Sequence, residues 1–132
     1  MNVLLDTQML IWLLFWPEIL PRKAREIIGE EENDLCFSPV SLWEVSIKRS
    51  QNKPGFQLNA RLMQENLLEK GCLEVPITSS HTITAGELPV LHKDPFDRLL
   101  ISQAMVENLF LLTSDKQIAE YPARVIFFKG GS

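Results

Sequence analysis

The sequence predicts an α/β domain in three layers, with a mostly parallel central sheet flanked by helices. Three observations predict it. Short apolar runs recur along the chain, most of them too short for helices, and they read as buried strands. Stretches with helical spacing lie between those runs. Alternation of the two argues for a parallel sheet, and no repeat, low-complexity tract or linker interrupts it. At 132 residues the chain is one domain's worth, spanning 1–132, and long enough to bury a real core.

In chain order, a strand is expected over residues 3–5 and a helix over 7–15. The next helix, 22–32, is well marked by Pro21 before it and by Ala24, Ile27 and Ile28 on one face. A strand over 35–37 leads into a helix over 40–50, entered through Ser38 as cap and Pro39 in the first turn. The helix over 59–70 carries Leu62, Leu67 and Leu68 with charges between them. A strand over 73–75, helices over 79–87 and 95–107, a strand over 110–112, a helix over 115–120 and a strand over 125–128 complete the set. Strand order is not legible in the sequence.

Bulk properties narrow the function. Apolar content of 45% and charged content of 23% are those of a soluble globular protein. A net charge of −4 argues against holding nucleic acid by electrostatics alone, so any polyanion would need local cations or a metal. Cys36 and Cys72 have neither CxxC nor zinc spacing and read as buried thiols in a reducing compartment. The opening MNVLLDTQMLIWLLFWP lacks a basic start and a small-residue cleavage site, and Asp6 interrupts its apolar run. Its uninterrupted part, 10–16, is too short to span a bilayer. A cytoplasmic protein without a membrane partner is expected.

Parallel sheets place functional groups beyond the carboxyl ends of their strands. Asp6 follows the first strand and Asp115 follows the strand FLL. Either acid suits a helix cap. Thr7 is also able to cap, which would free Asp6, and Thr113, Ser114 and Asp115 are more cap-capable residues than one helix needs. Glu44 stands beside Val40, Trp43 and Ile47, which share a helix face. A carboxylate there is costly unless paired or metal-bound. A salt bridge to Lys48, worth roughly 0.3–0.5 kcal/mol, does not easily explain it. In HKDPFDRLLISQA, Asp94 with Pro95 makes a cap, and Asp97 falls three residues on, where an acid favours the helix dipole. One cap suffices, so Asp97 is surplus. If these acids converge, each like-charge pair near 4 Å costs roughly 4 kcal/mol at an effective dielectric of about 20, and a cation must be present. Oxygen-only ligands suit Mg²⁺ or Mn²⁺. Such an ion engages phosphate oxygens and supports phosphodiester hydrolysis.

With those residues in view, LLDT, SLWEVSIK, HKDPFDRLLISQA and LLTSD resemble the PIN-domain ribonucleases, and more closely the VapC toxins of bacterial toxin–antitoxin pairs. The motifs cover nearly the whole chain in the family's order. The resemblance implies a PIN-like fold and a Mg²⁺- or Mn²⁺-dependent endoribonuclease that a cognate antitoxin silences. Carried over by motif, the metal-site acids are Asp6, Glu44, Asp97 and Asp115, with Thr113 as a polar supporter and Asp94 as the cap. One departure is Gln8, where many relatives carry histidine; it touches only local substrate contacts.

Arg98 and Lys48 are candidate RNA phosphate contacts, with Arg49, Lys93 and Lys116 near other acids. An intramolecular ion pair is the competing role for Arg98. His92 is able to assist proton transfer, but before a cap it reads as structural, and His81 has no chemical neighbour in sequence. Trp12, Trp16 and Trp43 read as core or interface. The run LIWLLFW is more apolar than one amphipathic helix needs, which implies burial in a homodimer or under an antitoxin segment. An aspartate-based phosphotransfer domain fails on residues: position 8 is Gln8, and the strand 35–37 ends in Ser38-Pro39. A non-catalytic binding module of the same fold is the alternative, but such a module should have lost acids that this chain keeps.

Overall fold

A computed structural model describes residues 1–129. The Gly-Gly-Ser end of the expected domain, whether native or appended, lies outside the described residues. Five strands, β1 (Asn2–Leu5), β2 (Asp34–Phe37), β3 (Leu73–Glu74), β4 (Phe110–Thr113) and β5 (Val125–Phe127), form one sheet in the order β3-β2-β1-β4-β5. Every pairing is parallel, with Leu4 opposite Cys36 and Leu111, and Leu111 opposite Val125. Among the described residues six helices accompany it: α1 (Thr7–Phe15), α2 (Arg22–Gly29), α3 (Pro39–Ser50), α4 (Ala60–Glu69), α5 (Ser79–Glu87) and α6 (Pro95–Glu107).

Strand alternation builds the three layers. Val3 and Leu5 point to one face, where they pack with Met9, Leu10, Ala24, Met63 and Leu67 of α1, α2 and α4. Leu4 points to the other, against Leu100, Ile101 and Ala104 of α6. Central strands with both faces covered carry near-continuous apolar runs, as VLL and FLL do. Cys36 and Cys72 are free and buried. No helix among the described residues is long and apolar enough to cross a membrane.

Three expectations need correction. Helix α2 stops at Gly29 rather than running to 32, and Asp34 N–H then bonds Met1 C=O to start β2. The helix expected over 115–120 is only a 3₁₀ turn, Ile118–Glu120. Pro122 forces the residue before it towards extended geometry, and Tyr121 adopts φ −86°, ψ 155°. Trp43 does not share the buried face of α3. It is 60% exposed, and the buried face is Val40, Ser41, Glu44 and Val45. The polar positions of that face, Ser41 and, one turn on, Glu44, are tethered to Thr7 of α1. Trp43 instead meets the edge of Phe96 at 5.4 Å.

Candidate active site

The chain runs outward from β1 through β2 to β3, then returns to the other side of β1 for β4 and β5. Strand order therefore reverses between β1 and β4, and a crevice opens at their carboxyl ends. A cavity of about 500 Å³ lies at that place, lined by Asp6, Glu44, Lys48, Asp94, Asp97 and Asp115 among others.

Asp6 leaves β1 and caps α1. Its Oδ1 accepts from Met9 N–H at 2.8 Å, and its Oδ2 accepts from the Thr113 hydroxyl. Burial to 4% exposure pushes its carboxyl up to about 6; the Thr113 and Met9 hydrogen bonds oppose this, and the charges of Asp115 and Glu44 add to it. Thr7 is thus not the cap. Its hydroxyl donates to Glu44 Oε1 at 2.6 Å and stands 2.9 Å from Ser41 Oγ. Thr7 in this way ties α1 to α3. The other Glu44 oxygen takes the Lys48 ammonium, which also lies 4.7 Å above the Phe56 ring. Glu44 is buried with both oxygens engaged.

Asp94 caps α6, its Oδ1 accepting from Phe96 N–H at 2.9 Å and Asp97 N–H at 3.3 Å. Capping fixes the first turn, and Asp97 then reaches the cavity. Burial pushes Asp97 up to about 7; the charges of Asp94, Glu44 and Asp6 raise it further, and His92 opposes them. Asp115 is carried by the turn after β4. Its N–H donates to Thr113 Oγ1 at 2.9 Å, so Thr113 links the strand end to both Asp6 and Asp115.

The four acids expected from the sequence therefore share one cavity, and Lys48 and Lys116 line it too. Arg98 does not line it. Its guanidinium donates to Ala85 C=O at 2.9 Å and Leu88 C=O at 3.1 Å, holding the end of α5 against α6. His81 is buried in a capping box with Thr78. The residue that sequence reasoning undervalued is His92. Its Nε2 lies 2.8 Å from Asp97 Oδ2 and 3.3 Å from Asp115 Oδ2. Only the first of those partners was near it in sequence. Tyr121, which holds the His92 backbone, gave no sequence signal.

Oxygen donors of this number suit a hard divalent cation, and the carboxyls of Asp6 and Asp97, raised first by burial and then by neighbouring acids, would be held ionised by such an ion. The tightest grouping of metal-capable side chains among the described residues is His92, Asp94 and Asp97, with ligand atoms within 4.8 Å of one another. The acids fit Mg²⁺ or Mn²⁺ by donor chemistry.

The family model described as PIN domain matches residues 3–124. Among solved structures, VapBC2 from Rickettsia felis, crystallised with a DNA fragment from its promoter, is similar at a TM-score of 0.70 and 19% identity, covering 98% of this chain and 100% of that one. DNA-bound VapBC from Salmonella typhimurium is similar at 0.68 and 16%, covering 96% and 98%. A toxin–antitoxin complex from Klebsiella pneumoniae follows at 0.61 and 19%, covering 94% and 95%. At these identities the likeness is one of fold. No curated protein sequence matches the chain. With nearly its whole length matched, the chain belongs to the PIN-domain family.

Proposed function

We propose that the chain is a Mg²⁺- or Mn²⁺-dependent endoribonuclease, the VapC-type toxin of a toxin–antitoxin pair. The observation that carries this reading is the meeting of Asp6, Glu44, Asp97 and Asp115 in one cavity at the sheet's switch point. PIN-family membership supports the nuclease class. The structural likeness to toxin–antitoxin complexes supports a protein antitoxin as partner.

In this reading Asp6, Glu44, Asp97 and Asp115 hold the ion. When bound, the ion would neutralise these acids and act as a Lewis acid toward a phosphodiester oxygen. Thr113 orients Asp6 through one hydroxyl hydrogen and Asp115 through its backbone. Thr7 and Lys48 orient Glu44. Lys116, on the cavity wall, supplies positive charge for RNA phosphates; Lys48 lines the same wall, with its ammonium bonded to Glu44. Arg98 is a weaker candidate for that role, because its guanidinium is committed to two carbonyls.

A homodimer and an antitoxin would cover the exposed apolar surface. Trp16 and Ile19, just after α1, are 39% and 48% exposed. Trp43 borders an apolar hollow of about 230 Å³ formed with Val40, Ala85, Phe96 and Leu99. Light scattering on the eluting protein should give twice the chain mass.

The direct test is cleavage of structured RNA with Mn²⁺, with EDTA, and with Asp97→Asn. Loss of an outer-shell partner costs roughly 10–100-fold in such sites, so loss of a ligand should cost more than about 100-fold. Undiminished cleavage by Asp97→Asn would remove Asp97 from the site.

A further inference from the structure

We propose that His92 is a positioning residue of this site, which fixes Asp97 against Asp115, and that Tyr121 fixes His92. The proposal rests on the reading of those two acids as site residues.

The tautomer follows from the ring's surroundings. Asp94 N–H lies 3.4 Å from His92 Nδ1 and fills that nitrogen's lone pair. The ring hydrogen is then on Nε2, which faces Asp97 Oδ2 at 2.8 Å and Asp115 Oδ2 at 3.3 Å. One N–H serves two carboxylates from two different segments, α6 and the turn after β4. Left alone, two like charges at this distance move apart into water. A shared donor holds them at one separation, and burial of the ring to 11% exposure keeps water from replacing it.

The ring needs a fixed backbone, and the stretch between α5 and α6 belongs to neither helix. Tyr121 supplies the anchor. Its buried hydroxyl accepts from His92 N–H at 2.8 Å and Leu91 N–H at 3.1 Å and donates to Pro89 C=O at 2.9 Å. Every hydrogen-bonding capacity of that oxygen is used on one short segment. Tyr121 lies on the same connection as Asp115. The circuit therefore closes: Asp115 to Tyr121 along the chain, Tyr121 to the His92 backbone, and the His92 ring back to Asp115. Neither residue touches a reacting atom in this account. Both act through the acids.

The test reads the acids themselves, in the full chain, first without metal. Carboxyl ¹³C signals of aspartates are followed at pH 9, where the acids are ionised. His92→Phe keeps ring bulk and removes the donor, whereas His92→Gln keeps an N–H. Asp97 and Asp115 signals should move in His92→Phe, stay near wild type in His92→Gln, and leave Asp6 unmoved in both. Tyr121→Phe should shift the His92 ring ¹⁵N signals. In Mn²⁺ titrations, His92→Phe should bind about 10–100-fold more weakly than wild type, with recovery in His92→Gln. Unmoved Asp97 and Asp115 signals in His92→Phe, or equal movement in both variants, would overturn the positioning role. A wild-type chain that takes up no Mn²⁺ would instead overturn the metal reading, because the carboxyl signals are read without the ion.

Discussion

The two halves of the acid set are held in different ways. On one side, Asp6 and Glu44 are each 4% exposed, and all four of their carboxylate oxygens have protein partners: Met9 N–H, Thr113, Thr7 and Lys48. On the other side, the Asp97 and Asp115 side chains are 15% and 36% exposed, and one imidazole N–H joins them. The first half carries its own cation and is finished by folding. The second brings two carboxylates together on one imidazole nitrogen, with Gln117 N–H at 2.8 Å on the other Asp115 oxygen. The contrast teaches that one acid cluster need not be uniformly preorganised. One wall is built by protein partners, and in the proposed metal site the facing wall is the one that an ion would close.

Substitutions should separate the halves, the largest effect first. Asp97→Asn should lose more than about 100-fold in RNA cleavage, yet its metal-free form should melt above wild type at pH 8, because a carboxylate raised to about 7 is disfavoured when ionised. A lower melting temperature would show that Asp97 is stabilised by its neighbours and would break the contrast. Next comes pH. Asp6 and Asp97 have folded-state values of about 6 and about 7 against 3.8 for the free group. The native state therefore holds more protons than the unfolded state between those values. Stability in EDTA should be fullest below pH 4, fall as pH rises to 7, and level off above, by about 3 kcal/mol for Asp6 alone. Mn²⁺ should restore it at pH 7.5. Denaturant melts across that range decide the sign, and rising stability in EDTA would contradict it.

Glu44→Gln should have the opposite sign to Asp97→Asn. It strands the Lys48 ammonium, which is only partly exposed, and should lower stability by about 1–3 kcal/mol in urea melts. Thr113→Val is the mildest. It removes the hydroxyl between Asp6 and Asp115 N–H and should cost about 1–2 kcal/mol, with m-value unchanged. No loss at all would make Thr113 incidental.

Much of this is legible in the sequence alone. Glu44 was conspicuous because a carboxylate beside an apolar helix face needs a partner, and Asp97 because Asp94 already serves as the cap. What stayed hidden depends on contacts between distant segments. Asp6 and Thr7 both suit a cap, and the choice between them is made by Glu44, 37 residues after Thr7. Trp43 shares an apolar spacing with Val40 and Ile47, but Ser41 and Glu44, bonded to Thr7 of α1, lie on the buried face of α3 in its place. The clamp of Tyr121 on His92 spans 29 residues and exists because β4 returns beside β1, a strand order that no local pattern encodes. Arg98, adjacent to a site acid in sequence, points along α6 to the end of α5 instead.

The central claim is that these four acids form one divalent-cation site. Mn²⁺ titration followed by electron paramagnetic resonance tests it most directly, since bound Mn²⁺ loses the sharp six-line signal of the free ion. Wild-type protein should deplete that signal saturably, and Asp6→Asn and Asp97→Asn should each abolish most of the depletion. Free-ion signal undiminished by wild-type protein, or equal depletion by both variants and wild type, would contradict the claim.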